Sequence, residues 1–177
     1  MANDYLIVID MQNDFVDGAL GTAEAQAITP DVARRAREFN GTVAFTLDTH
    51  GADYLETQEG RHLPVAHCVK GTLGWQLVPE LDVVRRARGA RVFEKPTFGS
   101  VELARWLVAE NEREPIASIE FCGLCTDICV VSNALLAKAS LPEVPIRLNP
   151  SLCAGVTPEK HEAALETMRS CEIDMAE

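Results

Sequence analysis

Short apolar segments rich in Val, Ile and Phe recur along this chain of 177 residues, and helical patterns separate them. The segments have strand length and begin at Leu6 (LIVID), Val43 (VAFTLD), Arg91 (RVFEK), Ser118 (SIEFCG) and Val144 (VPIRLN). Because they are hydrophobic almost throughout, we expect burial on both faces, as in parallel sheets. Strands alternating with helices predict a three-layer α/β/α fold with a mostly parallel, Rossmann-like central sheet.

Helix starts are predicted where a polar cap precedes a helical pattern. Ser100 precedes VELARWLVAE, Thr126 precedes DICVVSNALLAKA, and Thr-Pro pairs at Thr29 and Thr157 precede DVARRAREF and EKHEAALETM. A polar cap followed by proline is a frequent start signal. With 47% apolar residues and no visible linker, residues 1–177 are expected to form a single domain.

The charge balance limits the classes of partner. Lys and Arg total 16 and Asp and Glu total 27, a formal net charge of −11, which disfavours nucleic acid and anionic membranes as partners. The amino end has no basic flank, and no apolar run approaches the length of a membrane span. The six cysteines are unevenly spaced, which predicts free thiols in a reducing compartment and hence a cytoplasmic protein.

Reactive side chains lie at the ends of the predicted strands. Asp10, Asp48 and Lys95 end three of them, and a cysteine cluster at residues 122–129 follows the fourth. The carboxyl ends of parallel strands share one edge of the sheet, where such folds bind ligands. At that edge Cys129, in the first turn of a helix, could act as a nucleophile, with Lys95 favouring the thiolate, Asp10 moving the proton and backbone amides binding the oxyanion. The predicted chemistry is amide hydrolysis through a thioester.

The motifs DMQNDF, EKPTFGS and CGLCTDICV, which begin at residues 10, 94 and 122, resemble those of the isochorismatase-like cysteine hydrolase superfamily, which includes nicotinamidases. The resemblance runs from about residue 4 to residue 168, with the motifs in the order of that family. It implies that Asp10, Lys95 and Cys129 form the catalytic triad. It also implies a cis peptide bond between Leu124 and Cys125, whose amide would bind the oxyanion together with that of Cys129.

The same resemblance implies a divalent metal beside the triad. It assigns as ligands Asp48 and His50, in LDTH, and His67, in LPVAHC. Candidates for a fourth ligand in the intervening loop are Glu59, Glu56 and His62. Glu59 is favoured because of its separation from His50 along the sequence. Such ligands suit zinc, with iron or manganese as alternatives. In nicotinamidases the metal holds the ring nitrogen of the substrate, which implies nicotinamide as the small-molecule amide substrate here.

Two further features bear on the substrate pocket. Residues 49–89 separate two predicted strands and contain three of the four histidines, and loops of this length are usually functional. Phe15, Trp75 and Phe98 lie near the motifs and are predicted to pack against a flat ring, although each also suits an ordinary core position.

Other interpretations remain open. Cys122 and Cys125 form a CxxC motif at a strand-to-helix junction, as in thiol oxidoreductases. Zinc bound by the three clustered cysteines would lack a fourth ligand in this stretch. Within the superfamily, an amidase of carbamoyl or ureido compounds, an isochorismatase or a non-catalytic protein are the alternatives. The resemblance also implies a homo-oligomer.

Overall fold

The computed structural model describes residues 3–176, and its centre is a sheet of six parallel strands. The strands are β1 (Asp4–Ile9), β2 (Thr42–Asp48), β3 (Arg91–Lys95), β4 (Ser118–Leu124), β5 (Ile146–Ala154) and β6 (Ile173–Met175). All five predicted strands are present, and β1, β2 and β4 are buried along almost their whole length. The predicted three-layer α/β fold is therefore confirmed.

Helices connect the strands and cover the sheet. They are α1 (Asn13–Val16), α2 (Ala23–Glu38), α3 (Gln58–His62), α4 (Pro79–Arg88), α5 (Val101–Arg113), α6 (Val131–Ser140) and α7 (Pro158–Ser170). α2 packs against α4, while α5, α6 and α7 pack in series. Two predicted caps are confirmed, because Ser100 Oγ accepts the N–H of Leu103 at the start of α5 and Thr157 Oγ1 accepts that of Lys160 at the start of α7.

The predicted helix start at Thr29 is wrong. α2 begins at Ala23, where Thr22 Oγ1 accepts the N–H of Ala25 at 3.0 Å, and Pro30 lies inside the helix. The buried side chains of α2 lie three or four residues apart and are Ala25, Thr29, Val32, Ala33 and Ala36. Burial of this continuous face stabilises the helix enough for it to continue past Pro30. The local Thr-Pro signal does not reveal that burial.

The strand order is β3-β2-β1-β4-β5-β6, so the order reverses between β1 and β4. Gly123 allows these two strands to approach closely at their carboxyl ends. It has a φ of 113°, and a Cβ at this position would lie 2.1 Å from the carbonyl oxygen of Ile9. Only glycine fits there. The crevice at this reversal is where open α/β sheets bind ligands.

β6, at one edge of the sheet, has no counterpart among the predicted strands, because three residues are too few to show a periodic pattern. The long segment at residues 49–89 contains α3, α4 and a 3₁₀ turn at Tyr54–Glu56. No helix within residues 3–176 is both long enough and apolar enough to cross a bilayer.

Candidate active site

Lys95, the last residue of β3, lies at the centre of a buried polar cluster. Its Nζ is 2.6 Å from Oδ2 of Asp10, 3.2 Å from Sγ of Cys129 and 3.4 Å from Oδ1 of Asp48. The lysine side chain is 1% exposed. The ends of β1, β2 and β3 and the turn after β4 therefore bring two carboxylates, a thiol and an ammonium within contact distance.

Asp10 directly follows β1 and has a φ of 46°, in the left-handed region that residues other than glycine rarely adopt. Thr46 of β2 holds it in two ways. The threonine Oγ1 accepts the backbone N–H of Asp10 at 3.2 Å and donates its proton to Oδ1 at 2.6 Å. Burial raises the pKa of Asp10, although the Lys95 ammonium opposes the shift. A raised pKa makes this carboxylate a better proton acceptor.

Cys129 lies in a π-helical turn, Thr126–Val130, that connects β4 to α6. The N–H of Val130 donates to the carbonyl of Cys125, five residues earlier, at 3.1 Å. The peptide bond between Leu124 and Cys125 is cis. The N–H of Cys125 therefore lies between β4 and this turn, and Cys125 lines the cavity beside Cys129.

The sequence predicts that Lys95 favours the thiolate of Cys129 and that Asp10 accepts its proton, and burial of the cysteine works against the thiolate. Burial raises the pKa of Cys129 well above its ordinary value, and the Asp10 carboxylate raises it further, whereas Lys95 lowers it. Desolvation of the charged form outweighs the single nearby cation. A thiol with a raised pKa needs a base that removes its proton before the sulfur can attack.

A second cluster adjoins the first through Asp48. Its Oδ2 lies 2.9 Å from Nε2 of His50 and 3.5 Å from Nε2 of His67, and these nitrogens lie 3.6 and 3.8 Å from Oε1 of Glu59. All four ligand atoms lie within 4.8 Å of one another. Nδ1 of His67 bonds the carbonyl of Val65 at 2.8 Å, which leaves Nε2 directed at the cluster.

The donors of this cluster fit a divalent cation. Burial opposes ionisation of Asp48, but hydrogen bonds from His50 and His67 and the Lys95 charge outweigh it and lower the pKa of this carboxyl. Two carboxylates and two imidazoles are ligands that zinc, iron and manganese accept. A cation among them would offset the negative charge that the cluster concentrates.

A cavity of about 330 Å³ opens onto both clusters. Cys125 and Cys129 line it, as do Asp48, Glu59 and His67 of the second cluster. The remaining wall is mostly apolar and includes Phe15, Leu63, Phe98, Ile128 and Val156. This volume is that of a small-molecule pocket with few polar groups.

Comparison with known proteins identifies the family of this chain. The isochorismatase domain matches residues 4–176. The chain belongs to the isochorismatase family. A nicotinamidase/pyrazinamidase of Mycobacterium tuberculosis (strain ATCC 25618 / H37Rv) is 30% identical to it over 187 residues, 96% of each chain.

Solved structures of relatives extend the likeness to the whole fold. Nicotinamidase/pyrazinamidase from Bacillus subtilis has a TM-score of 0.85 at 29% identity and covers 99% of this chain and 100% of its own. The pyrazinamidase of Pyrococcus horikoshii, solved in complex with zinc, has a TM-score of 0.81 at 29% identity and covers 99% of each chain.

In this isochorismatase-family chain, two of the three predicted aromatic residues line the cavity. Phe15 does so with its ring centroid 5.5 Å from that of His67, and Phe98 does so at 45% exposure. Trp75 lies outside the cavity. Its indole N–H donates to Thr49 Oγ1 at 2.9 Å. Backbone hydrogen bonds join the segment that carries Trp75 to α1 and hold it in this position.

Among the three candidates for a fourth ligand, the cluster includes only Glu59. Glu56 lies in the preceding 3₁₀ turn and outside the cluster. His62 bonds the carbonyl of Gln58 through Nδ1 at 2.8 Å and lines the cavity near its entrance. α3 therefore directs one acidic side chain into the cluster and a histidine toward the cavity.

Two buried amides that the sequence interpretation missed hold the motifs of this family together. Gln12 pairs with the backbone of Asp48 in both directions, since Nε2 donates to its carbonyl at 2.9 Å and Oε1 accepts its N–H at 2.8 Å. Asn133 of α6 accepts the N–H of Ser100 and donates to the carbonyls of Phe98 and Cys129. Nothing local in the sequence distinguishes these amides from ordinary polar residues.

Proposed function

We propose that this chain is a metal-containing cysteine amidase that converts nicotinamide to nicotinate and ammonia. The observation that carries the proposal is the position of Lys95 Nζ, within 2.6 Å of an Asp10 oxygen and 3.2 Å of the Cys129 sulfur. A nucleophile, a base and a cation thus meet beside a cavity of small-molecule size. Relatives named nicotinamidase or pyrazinamidase, which match nearly the whole chain, support the same substrate class.

Asp10 removes the proton of the Cys129 thiol as the sulfur attacks the carboxamide carbon. The carbon–sulfur bond forms, the carbonyl oxygen becomes an oxyanion, and Asp10 then gives the proton to the departing nitrogen. Cleavage of the carbon–nitrogen bond releases ammonia and leaves a thioester. Water then attacks the thioester, Asp10 takes one of its protons and returns it to the sulfur as the carbon–sulfur bond breaks, and the acid product gives its remaining proton to solvent and leaves as the carboxylate.

Lys95 and two backbone amides stabilise the charges in these steps. The ammonium lies between Asp10 and Cys129, so it lowers the energy of whichever of the two is negative. The N–H groups of Cys125 and Cys129 are the proposed donors to the oxyanion. Preorganised donors of this kind contribute roughly 3 kcal/mol each in other hydrolases.

Asp48, His50, Glu59 and His67 are the proposed ligands of the metal. Zinc is favoured, as in the Pyrococcus horikoshii pyrazinamidase structure, with iron or manganese as alternatives. When bound, the metal supplies a Lewis-acid contact for the ring nitrogen of the substrate. The chain itself surrounds the ring with the apolar side chains of Phe15 and Phe98 and leaves the carboxamide beside Cys129.

The remaining features of the proposal concern the whole protein. We propose that residues 1–177 act as one isochorismatase-like domain, in the cytoplasm and as a homo-oligomer, with a small amide as partner and no nucleic acid or membrane. The thiol oxidoreductase alternative gains no support, because Cys122 is fully buried in β4.

The decisive test is ammonia release from purified protein whose metal content is measured on the same sample. Nicotinamide is assayed beside pyrazinamide, an aliphatic amide and a ureido compound. We expect kcat/KM for nicotinamide to exceed that for the aliphatic and ureido compounds by at least about a hundredfold. Faster hydrolysis of the ureido compound, or no ammonia from any of the four, would refute the proposed substrate.

A further inference from the structure

The hydroxyl of Thr46 is fully buried and bonded at both of its functions to Asp10. It donates to Oδ1 at 2.6 Å and accepts the backbone N–H of the same residue at 3.2 Å. Thr46 lies on β2, and Asp10, 36 residues away in the chain, directly follows the neighbouring strand β1. One hydroxyl therefore restrains both the backbone and the side chain of the proposed base.

The two oxygens of Asp10 consequently have different surroundings. Oδ1 is occupied by the Thr46 hydroxyl. Oδ2 is buried, and its polar neighbour is Lys95 Nζ at 2.6 Å. Since a carboxylate oxygen has two acceptor sites, Oδ2 retains capacity for a proton. The same ammonium also contacts Sγ of Cys129, at 3.2 Å.

We propose that Thr46 is a positioning residue of the reaction, whose hydroxyl holds Asp10 so that Oδ2 takes the proton of Cys129 and returns it. The inference rests on the proposed function and adds to it the residue that orients the base. The transfer moves one proton from sulfur to Oδ2 and requires no further reactant. Without the hydroxyl, the carboxylate can rotate about its Cβ–Cγ bond and place either oxygen against Lys95.

The side chain of threonine suits this task for two reasons. A β-branched residue on a strand has few rotamers, so its hydroxyl is held in one direction. Thr46 also lies two residues before Asp48 on β2, so both side chains project from the same face of the sheet. The same face of one strand thus presents a partner of the base and a proposed metal ligand.

Thr46→Val removes the hydroxyl at nearly constant volume, and Thr46→Ser retains it. We expect Thr46→Val to lower kcat for nicotinamide by roughly tenfold to a hundredfold with little change in KM, because misorientation of a catalytic group affects the chemical step. Alkylation of Cys129 by iodoacetamide, followed by peptide mass mapping, should slow to a similar degree. Thr46→Ser should keep both rates within about threefold of the unmodified protein.

Thr29→Val is the matched control, because Thr29 is a buried threonine whose hydroxyl bonds the carbonyl of Ala25 in α2. It should leave both rates within about twofold. If Thr46→Val does not fold by circular dichroism, Thr46→Ala replaces it in the same assays. Metal content is measured on every variant.

The alkylation rate needs no substrate, so it separates this inference from the proposed function. If the unmodified protein releases no ammonia from nicotinamide, the proposed substrate is wrong, while alkylation still tests Thr46. Unchanged alkylation in Thr46→Val, or equal losses in Thr46→Ser, would overturn the role of the hydroxyl. Loss of metal in proportion to loss of kcat would overturn it too, because Thr46 would then act through Asp48.

Discussion

The ammonium nitrogen of Lys95 lies 3.2 Å from the sulfur of Cys129, although burial raises the pKa of that thiol. The cation therefore faces a thiol whose ionisation is opposed by burial. Its resting partners are the carboxylates of Asp10 and Asp48. This arrangement makes Lys95 necessary for stability as well as for chemistry.

Lys95→Met should test both roles, since methionine has similar length and no charge. We expect kcat to fall by at least about a hundredfold. We also expect a loss of roughly 3–5 kcal/mol in the free energy of unfolding, because two buried carboxylates lose their cation. Urea unfolding measures the second effect. Lys70→Met is the control, because Lys70 is an exposed lysine paired with the exposed Glu94. Retention of a tenth of the activity by Lys95→Met would contradict the proposed mechanism.

Cys129→Ala should abolish ammonia release and preserve substrate binding, because it removes the nucleophile without altering the cavity wall by more than one atom. Calorimetric titration with nicotinamide measures the binding. Cys171→Ala, which changes an exposed thiol, should be fully active. Cleavage by the Cys129→Ala protein at even a tenth of the original rate would mean that another group attacks the amide.

His50→Ala should weaken metal binding by more than roughly a hundredfold, since outer-shell partners alone contribute 10–100-fold. KM for nicotinamide should rise, while the alkylation rate of Cys129 changes by less than about threefold, because the proposed metal contact orients the ring. His62→Ala is the matched control, since His62 lines the cavity outside the four-residue cluster and its loss should leave metal content unchanged. Equal losses in metal affinity for both variants would refute the ligand assignment.

Gln12→Glu should loosen the carboxyl end of β2 without changing the size of the side chain. A carboxylate can accept the N–H of Asp48 but cannot donate to the carbonyls of Asp48 and Trp75, so both hydrogen bonds donated by Nε2 are lost and acceptor oxygens face one another. We expect reduced metal affinity and a loss of roughly 1–3 kcal/mol in the free energy of unfolding. Gln58→Glu, at the start of the short helix α3, is the control for adding a carboxylate. Unaltered metal affinity in Gln12→Glu would exclude this positioning role.

Stability should fall in acid because of Glu120, which is buried in β4 away from the site. Burial opposes its ionisation, but hydrogen bonds and charge from Arg35 and Arg147 outweigh this and hold the pKa of Glu120 below its usual value. A carboxyl whose pKa is lower in the folded state contributes stability that is complete above the unfolded pKa and is lost as the pH falls through the folded pKa.

Glu120→Gln should therefore reduce the loss of unfolding free energy that occurs as the pH falls. Urea unfolding between about pH 3 and pH 7 measures this dependence. At neutral pH it should cost roughly 2–3 kcal/mol, less than for a fully buried pair, because the side chain of Arg35 is 37% exposed. Glu166→Gln, at an exposed position, should leave the curve unchanged. An acid transition of the same size in Glu120→Gln and the unmodified protein would assign acid lability to other groups.

Much of the fold was predictable because its signals are local. Apolar runs marked five strands, and the polar residues at their ends indicated that Asp10, Lys95 and Cys129 would converge, as the distances at Lys95 confirm. Strand β6 and the true start of α2 were missed. The first is too short to show a pattern, and the second depends on burial of one helical face through Pro30.

The sequence by itself determined the layered α/β fold, the side chains that meet at the sheet edge and the resemblance to a family of cysteine hydrolases. These properties follow from strand periodicity and motif order, which are local features of the sequence. Tertiary structure alone decided the burial that raises the pKa of Cys129, the partner of each Asp10 oxygen, the choice of Glu59 and the exclusion of Trp75 from the cavity. These properties depend on burial and on distances between residues far apart in the chain, and a one-dimensional pattern carries neither quantity.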